Sequence, residues 1–154
     1  MDLPDDINRP FFAYGVFKPG ELAFLKIKSY IKMAHSGCNA YGELLIRDGI
    51  PIFNRNDYGN KVFGFLLEFN DGESEKAYEQ IVDLEPDLQY IWDTQAINMN
   101  ELGQVEANIL QGRNPTQGAE QFEEYYFSSR NDPLLHDGIQ LIPDLIDEVE
   151  KIYV

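Results

Sequence analysis

The alternation of hydrophobic and polar positions over the first third of the chain predicts a strand, a loop and a helix. The aromatic run of residues 11–14 indicates a short strand that stops at Gly15. Over Glu21–Met33, apolar residues recur among lysines on an approximate helical period, and we expect this helix to end near Ser36-Gly37.

A β-hairpin and a further strand follow. Asp48-Gly49 separates the apolar runs 40–46 and 50–54, and this dipeptide between apolar runs is a strong hairpin signal. Lys61–Phe69 then alternates between a strongly apolar face and a mixed one, the pattern of a strand.

The next segment has the spacing of a helix that ends at a proline. Within 73–84 one side is apolar, and it carries Ala77, Tyr78, Ile81 and Leu84. Pro86 disfavours helical geometry in the residue before it, so we expect the helix to end at Glu85.

The remainder of the chain continues the mixture of strands and helices. We predict strands over 90–99 and 104–110, a loop over 112–118 and a short strand or extended segment at Tyr125–Phe127. A C-terminal helix is predicted to begin at 133 or 134 and end at 152, and it contains Pro143, a residue that can break a helix. Because hairpins need antiparallel pairing and the elements do not alternate regularly, the pattern favours an α+β or mixed barrel-like architecture.

Length and charge restrict the class of protein. A chain of 154 residues suits one domain, which we place over 1–154. The formal net charge is −15, and residues 68–154 hold 20 acidic and 4 basic side chains. Such a field repels a phosphate backbone, so we expect no nucleic-acid partner.

Cysteine and apolar content point to a cytoplasmic protein without a metal. Cys38 is the sole cysteine and only His35 and His136 are histidines, so we expect no disulfide and no metal site. The first ten residues lack the apolar region of a secretory signal, and no apolar run approaches the length of a membrane span. We therefore predict no membrane partner.

Two segments have the residues for chemistry. The loop Tyr14–Gly20 contains glycines that allow a ligand close to the backbone, where amide groups could bind a carboxylate or an oxyanion. Glu85 lies at a helix end among leucines, where partial burial would raise its pKa toward the range useful to a general base.

Each segment also has an ordinary structural interpretation. The loop could be a simple strand-to-helix turn, and Glu85 could lie at an exposed helix end. Other catalytic classes find little support, because no G-x-S-x-G motif is present and no local signature links Cys38 to His136. Paired carboxylates for glycoside hydrolysis stay open in so acidic a chain.

The order of four short motifs resembles the gamma-glutamyl cyclotransferase-like family, which includes avirulence-induced-gene-like proteins. Over about residues 11–110, this chain has counterparts of four family motifs. They are a Tyr-Gly-Ser/Thr-Leu loop, a Gly-Glu-Leu strand, a Val-x-Gly-x-Leu strand and a Leu-Asp-x-x-Glu segment with a later tyrosine. These counterparts are Tyr14-Gly15-Val16-Phe17, Tyr41-Gly42-Glu43-Leu44, Val62-Phe63-Gly64-Phe65-Leu66 and Ile81-Val82-Asp83-Leu84-Glu85 with Tyr90.

The resemblance implies a small mixed β-barrel flanked by helices. It also implies an enzyme that needs no cofactor and releases 5-oxoproline from a small gamma-glutamyl compound. Glu85 matches the catalytic glutamate, and the resemblance places the substrate against Tyr14, Gly15, Val16, Phe17 and Tyr90.

This chain departs from the family pattern in two places. Val16 lacks the usual hydroxyl and Phe17 is larger than the usual leucine, while an apolar and then acidic run follows Tyr90 where the family has a basic residue. A binding or interaction protein on the same fold, which holds a small metabolite without turnover, is therefore the alternative hypothesis. The leaving group, the oligomeric state and the role of 112–124 are left open.

Overall fold

Five strands form a closed barrel in a computed structural model, which describes residues 1–56, 60–85, 88–99, 103–121 and 140–141. The elements in chain order are β1 (Phe11–Ala13), two 3-10 helices (Leu22–Lys26 and Lys28–Tyr30), β2 (Ile31–Arg47), β3 (Ile50–Arg55), β4 (Lys61–Phe69), α1 (Ser74–Leu84), β5 (Tyr90–Asn98), β6 (Gln104–Gly112), β7 (Glu120–Gln121) and β8 (Gln140–Leu141).

The ring of the barrel runs β1, β4, β2, β3 and β6, and β6 returns to β1 to close it. β6 lies parallel to β1 and β3, whereas the other ring pairs are antiparallel, so the barrel is mixed. β5 pairs along the whole of β6 and extends the sheet beyond the ring. The α+β prediction of a small mixed β-barrel flanked by helices is confirmed.

Local signals located the hairpin, β4 and α1 correctly. Arg47 pairs with Ile50 across the turn, and Asp48 and Gly49 adopt φ angles of 54° and 80°, as a primed two-residue turn requires. Helix α1 buries Ala77, Tyr78 and Ile81 as predicted, although Leu84 on the same predicted side is 42% exposed.

The helix predicted over Glu21–Met33 is wrong. Two short 3-10 helices occupy its first part, with Leu22 81% exposed, and β2 begins at Ile31. Pairing of β2 with β4 places Ile31 opposite Phe69, a contact almost forty residues away that local periodicity does not contain. The long-range ladder thus outweighs a weak helical period.

The predicted end of that helix, at Ser36-Gly37, instead lies inside β2. The register with β4 shifts between His35 and Cys38, where Gly37 has a φ of 68°. This irregularity is a β-bulge, which bends the long strand as it passes around the barrel.

The predicted C-terminal helix is contradicted at Gln140–Leu141, which form β8 beside β2. The rest of that helix and the extended segment at Tyr125–Phe127 lie outside the described residues. The predicted strands over 90–99 and 104–110 are confirmed as β5 and β6, and a loop follows β6 over 113–119.

Aromatic side chains fill the core between α1 and the sheet. Tyr78 packs edge-on against Phe69 and Trp92, with ring centroids 5.2 and 5.5 Å away. Its buried hydroxyl donates to Arg9 O at 2.6 Å and accepts from Asn108 Nδ2 at 3.0 Å. This packing fixes α1 on the barrel and with it the position of the residue that follows α1.

Candidate active site

The end of helix α1 determines the position of Glu85. Its backbone is extended, with φ −91° and ψ 136°, while its N–H still donates to Ile81 O at 3.1 Å. The chain therefore leaves the helix at this residue, as the following proline predicts. Burial raises the pKa of the Glu85 carboxyl from 4.5 to about 7.

A cavity beside Glu85 brings together every site residue named from the sequence. The lining residues are Phe11, Ala13, Tyr14, Gly15, Val16, Phe17, Pro51, Glu85, Tyr90 and Leu110. They come from β1, the following loop, β3, the end of α1, β5 and β6. The volume is about 20 Å³, which holds about one water molecule.

Two phenols in the wall are anchored to the barrel backbone. Tyr14 donates its hydroxyl hydrogen to Leu110 O and Tyr90 donates to Pro51 O, each at 2.6 Å. Burial raises the pKa of both phenols, and the nearby charge of Glu85 raises them further. Both hydroxyls thus stay protonated and present their oxygen lone pairs as acceptors.

The loop after β1 supplies hydrogen-bond donors. It turns through the bonds from Lys18 N to Gly15 O and from Glu21 N to Lys18 O, at 3.1 and 3.0 Å. Within the described part of the chain, the backbone N–H groups of Gly15, Val16 and Phe17 donate to no protein acceptor. Unpaired amides beside a cavity are suited to a carboxylate or an oxyanion.

Close packing keeps that loop against the hairpin. A Cβ on Gly15 would lie 2.8 Å from Pro51 Cγ, so only glycine permits the observed approach. The ring of Phe17 is 2% exposed and packs edge-on against Phe11, with centroids 5.8 Å apart. Phe17 thereby reduces the space in the cavity, as its size predicts.

Four wall residues were not among the site residues predicted from the sequence, namely Phe11, Ala13, Pro51 and Leu110. Pro51 and Leu110 lie on strands from distant parts of the chain, and only barrel closure places them beside Glu85. Lys18, in the loop that follows β1, is only 4% exposed. No local motif marks Pro51 or Leu110 as part of the wall.

A larger, open groove of about 310 Å³ lies elsewhere, between residues 7–10 and the start of α1. Its charged side chains include Arg9, which already pairs with Asp5 at 3.0 Å. None of the six residues predicted from the sequence lines this groove. The smaller cavity, with a carboxyl of raised pKa and unpaired amides, is therefore the candidate active site.

Two other kinds of site find no counterpart in the described residues. Among them, no group of three or more His, Cys, Asp or Glu side chains is arranged to hold a metal ion. None of the described helices is long and apolar enough to span a bilayer.

Comparison with known proteins supports the fold. No family model and no curated protein matches the sequence. YkqA from Bacillus subtilis superposes with a TM-score of 0.55 at 16% identity, over 70% of this chain and 38% of YkqA. An aig2-like protein (ggact) from Mus musculus gives a TM-score of 0.55 at 15% identity, over 76% of this chain and 89% of its own.

Proposed function

We propose that this chain, which has the gamma-glutamyl cyclotransferase-like fold, is an enzyme that releases 5-oxoproline from a gamma-glutamyl amine or amino acid. The observation that carries the proposal is Glu85, a carboxyl whose pKa is raised to about 7 beside a cavity with unpaired backbone amides. At neutral pH such a group exists in both protonation states, as a general acid/base requires.

Glu85 would carry two protons, one after the other, from the attacking nitrogen to the departing nitrogen. Its carboxylate takes a proton from the substrate's α-ammonium, and the freed amine attacks the γ-carbonyl carbon to close a five-membered ring. The protonated carboxyl then gives that proton to the departing nitrogen as the original carbon–nitrogen bond breaks. The carboxylate next removes the surplus proton from the ring nitrogen and passes it to the released amine. The products are 5-oxoproline and an ammonium ion, and the balance needs no cofactor.

The loop after β1 would stabilise the charge that develops on the carbonyl oxygen or hold the substrate's carboxylate. The amides of Gly15, Val16 and Phe17 are backbone groups, so the side chains of Val16 and Phe17 leave this capacity intact. Because the attack is intramolecular, much of the rate enhancement would come from folding the substrate into the attacking geometry.

The size of the cavity sets a condition on this proposal. A space of about 20 Å³ does not admit a glutamyl group, so Phe17 or the loop that carries it must move when substrate enters. The departures at Val16 and Phe17 favour a second candidate, a protein that holds a small metabolite without turnover, and that candidate requires the same movement.

A product assay separates the two candidates. We would measure 5-oxoproline release from gamma-glutamyl amino acids, gamma-glutamyl amines and glutathione, with the parent and the Glu85→Gln variant. Glu79→Gln, at an exposed glutamate on α1, is the matched control. We expect release by the parent and the control and none by Glu85→Gln. No release from any compound, together with thermal protection by one of them, would favour the binding protein.

A further inference from the structure

Arg47, the last residue of β2, joins three parts of the chain. Its Nε donates to Gln89 Oε1 at 2.8 Å and its Nη2 donates to Gln89 O at 3.4 Å. Its Nη1 donates to Asn114 O at 2.8 Å and to Gln117 O at 3.2 Å. One planar group therefore ties the hairpin to the residue before Tyr90 and to the loop after β6.

The same short segment has further fixed contacts. Gln89 Nε2 donates to Asp48 Oδ2 in the hairpin turn at 3.1 Å. Gln89 O also accepts from Arg113 N at 2.8 Å, and Arg113 Nε donates to Tyr90 O at 3.3 Å. The backbone at the start of β5 thus accepts hydrogen bonds from both Arg47 and Arg113.

The hairpin also holds the other end of Tyr90. The Tyr90 hydroxyl donates to Pro51 O, and Pro51 lies four residues after Arg47 on the second strand of the hairpin. The residue before Tyr90 is consequently held by Arg47, the Tyr90 carbonyl by Arg113, and the Tyr90 hydroxyl by Pro51. Both Tyr90 and Pro51 belong to the wall of the cavity that Glu85 lines.

We propose that Arg47 is a positioning residue for this site, which holds the Gln89-Tyr90 segment against the cavity and so limits the contact of the half-buried Glu85 with water. The guanidinium does not line the cavity and would act through Gln89 and Tyr90. This inference rests on the proposed function only for its effect on turnover. The contacts and the burial of Glu85 stand without it.

Charge supports the same placement. The positive charge of Arg47 opposes the rise that burial imposes on the pKa of Tyr90. Lysine in its place would keep the charge, but a compact ammonium on a flexible stem cannot reproduce a planar fork that reaches four acceptors. Substitution by lysine therefore separates the charge of Arg47 from its planar hydrogen-bonding geometry.

The test compares Arg47→Ala and Arg47→Lys with Arg55→Ala, at an arginine at the far end of β3 that pairs with Asp93 at 3.6 Å. Steady-state release of 5-oxoproline gives kcat and KM, and carbon-13 NMR of the glutamate carboxyls gives the pKa of Glu85. We expect Arg47→Ala to lower kcat by about 100-fold with little change in KM, because small displacements of catalytic groups are costly.

The NMR readout distinguishes positioning from mere stability. In Arg47→Ala we expect the pKa of Glu85 to fall from about 7 toward 4.5 as water reaches it, with Arg47→Lys intermediate and Arg55→Ala unchanged. Should Arg47→Ala fail to fold, Arg47→Lys carries the comparison. An unchanged pKa and kcat in a folded Arg47 variant would overturn the proposal.

The two proposals fail in different ways. A parent protein that releases no 5-oxoproline contradicts the proposed function, whereas the pKa of Glu85 in the Arg47 variants still decides the positioning role. A parent that turns over substrate, with Arg47→Ala equally active and Glu85 titrating as before, contradicts the positioning role alone.

Discussion

At the scale of the residue, Glu85 combines a position at the end of a helix with a side chain that faces a largely apolar cavity. It is the first residue after α1, and it lines a cavity whose other side chains are apolar or phenolic. Among the described residues of that cavity wall, none carries a positive charge that would stabilise the carboxylate. Desolvation alone therefore accounts for its raised pKa.

Glu85→Gln should stabilise the protein above pH 7. The folded pKa is about 7 and the ordinary value is 4.5, so between them the folded state binds more protons and stability falls as pH rises. The variant removes this cost, which a rise in pKa from 4.5 to about 7 sets at about 3 kcal/mol. Urea unfolding at pH 4.5 and pH 8 should show little difference from the parent at pH 4.5 and a gain at pH 8. Equal gains at both pH values would contradict a buried, titrating carboxyl.

Gly15→Ala should displace the loop and weaken ligand binding. The added Cβ would meet the ring of Pro51 at 2.8 Å, and we expect a loss in the free energy of unfolding of about 1–3 kcal/mol. Pro51→Ala removes the Cγ in question and should restore part of the loss in a double-mutant cycle. Strictly additive effects would show that the two residues do not meet.

At the scale of the element, the local signals that succeeded were those completed within a few residues. Asp48-Gly49, the alternation of Lys61–Phe69 and the proline after Glu85 each determine geometry without a distant partner. The helical period over Glu21–Met33 failed at residues 31–33 because these belong to β2, which is defined by its pairing with β4. An element could therefore be predicted only where the residues that define it lie close together in the sequence.

The hairpin turn gives a prediction at this scale. Gly49 has a φ of 80°, and a Cβ added there would meet no atom within 4 Å, so Gly49→Ala tests backbone conformation alone. We expect a loss of about 1 kcal/mol in the free energy of unfolding by urea. Asp48→Asn is the control, since asparagine tolerates positive φ and keeps an oxygen for Gln89. Equal stability of Gly49→Ala and parent would contradict a primed turn.

At the scale of the whole molecule, the barrel assembles a site from segments that the chain keeps apart. Motif order led from the sequence to Glu85 and the loop of Gly15, and the structure places them on one cavity. Pro51, Leu110 and Arg47 were not predicted, because their contribution depends on ring closure and on hydrogen bonds between distant strands. Such contacts leave no periodic or spacing signal in a single sequence.

The net charge of −15 gives a prediction at this scale. Repulsion among excess carboxylates destabilises the compact state, and salt at 0.1 M screens the repulsion between exposed charges more than about 10 Å apart. The midpoint of thermal unfolding should therefore rise as sodium chloride increases from about 10 to about 300 mM. A midpoint that falls over this range would show that attractive ion pairs outweigh the repulsion.

The pH dependence of kcat/KM for 5-oxoproline release is the sharpest test of Glu85 as a general base. A base with a pKa of about 7 predicts that kcat/KM rises from about pH 5.5 to about pH 8 with an apparent pKa near 7, and that Glu85→Gln removes activity throughout. A profile that is flat over this range, or activity in Glu85→Gln equal to that of the parent, would contradict the assignment of Glu85.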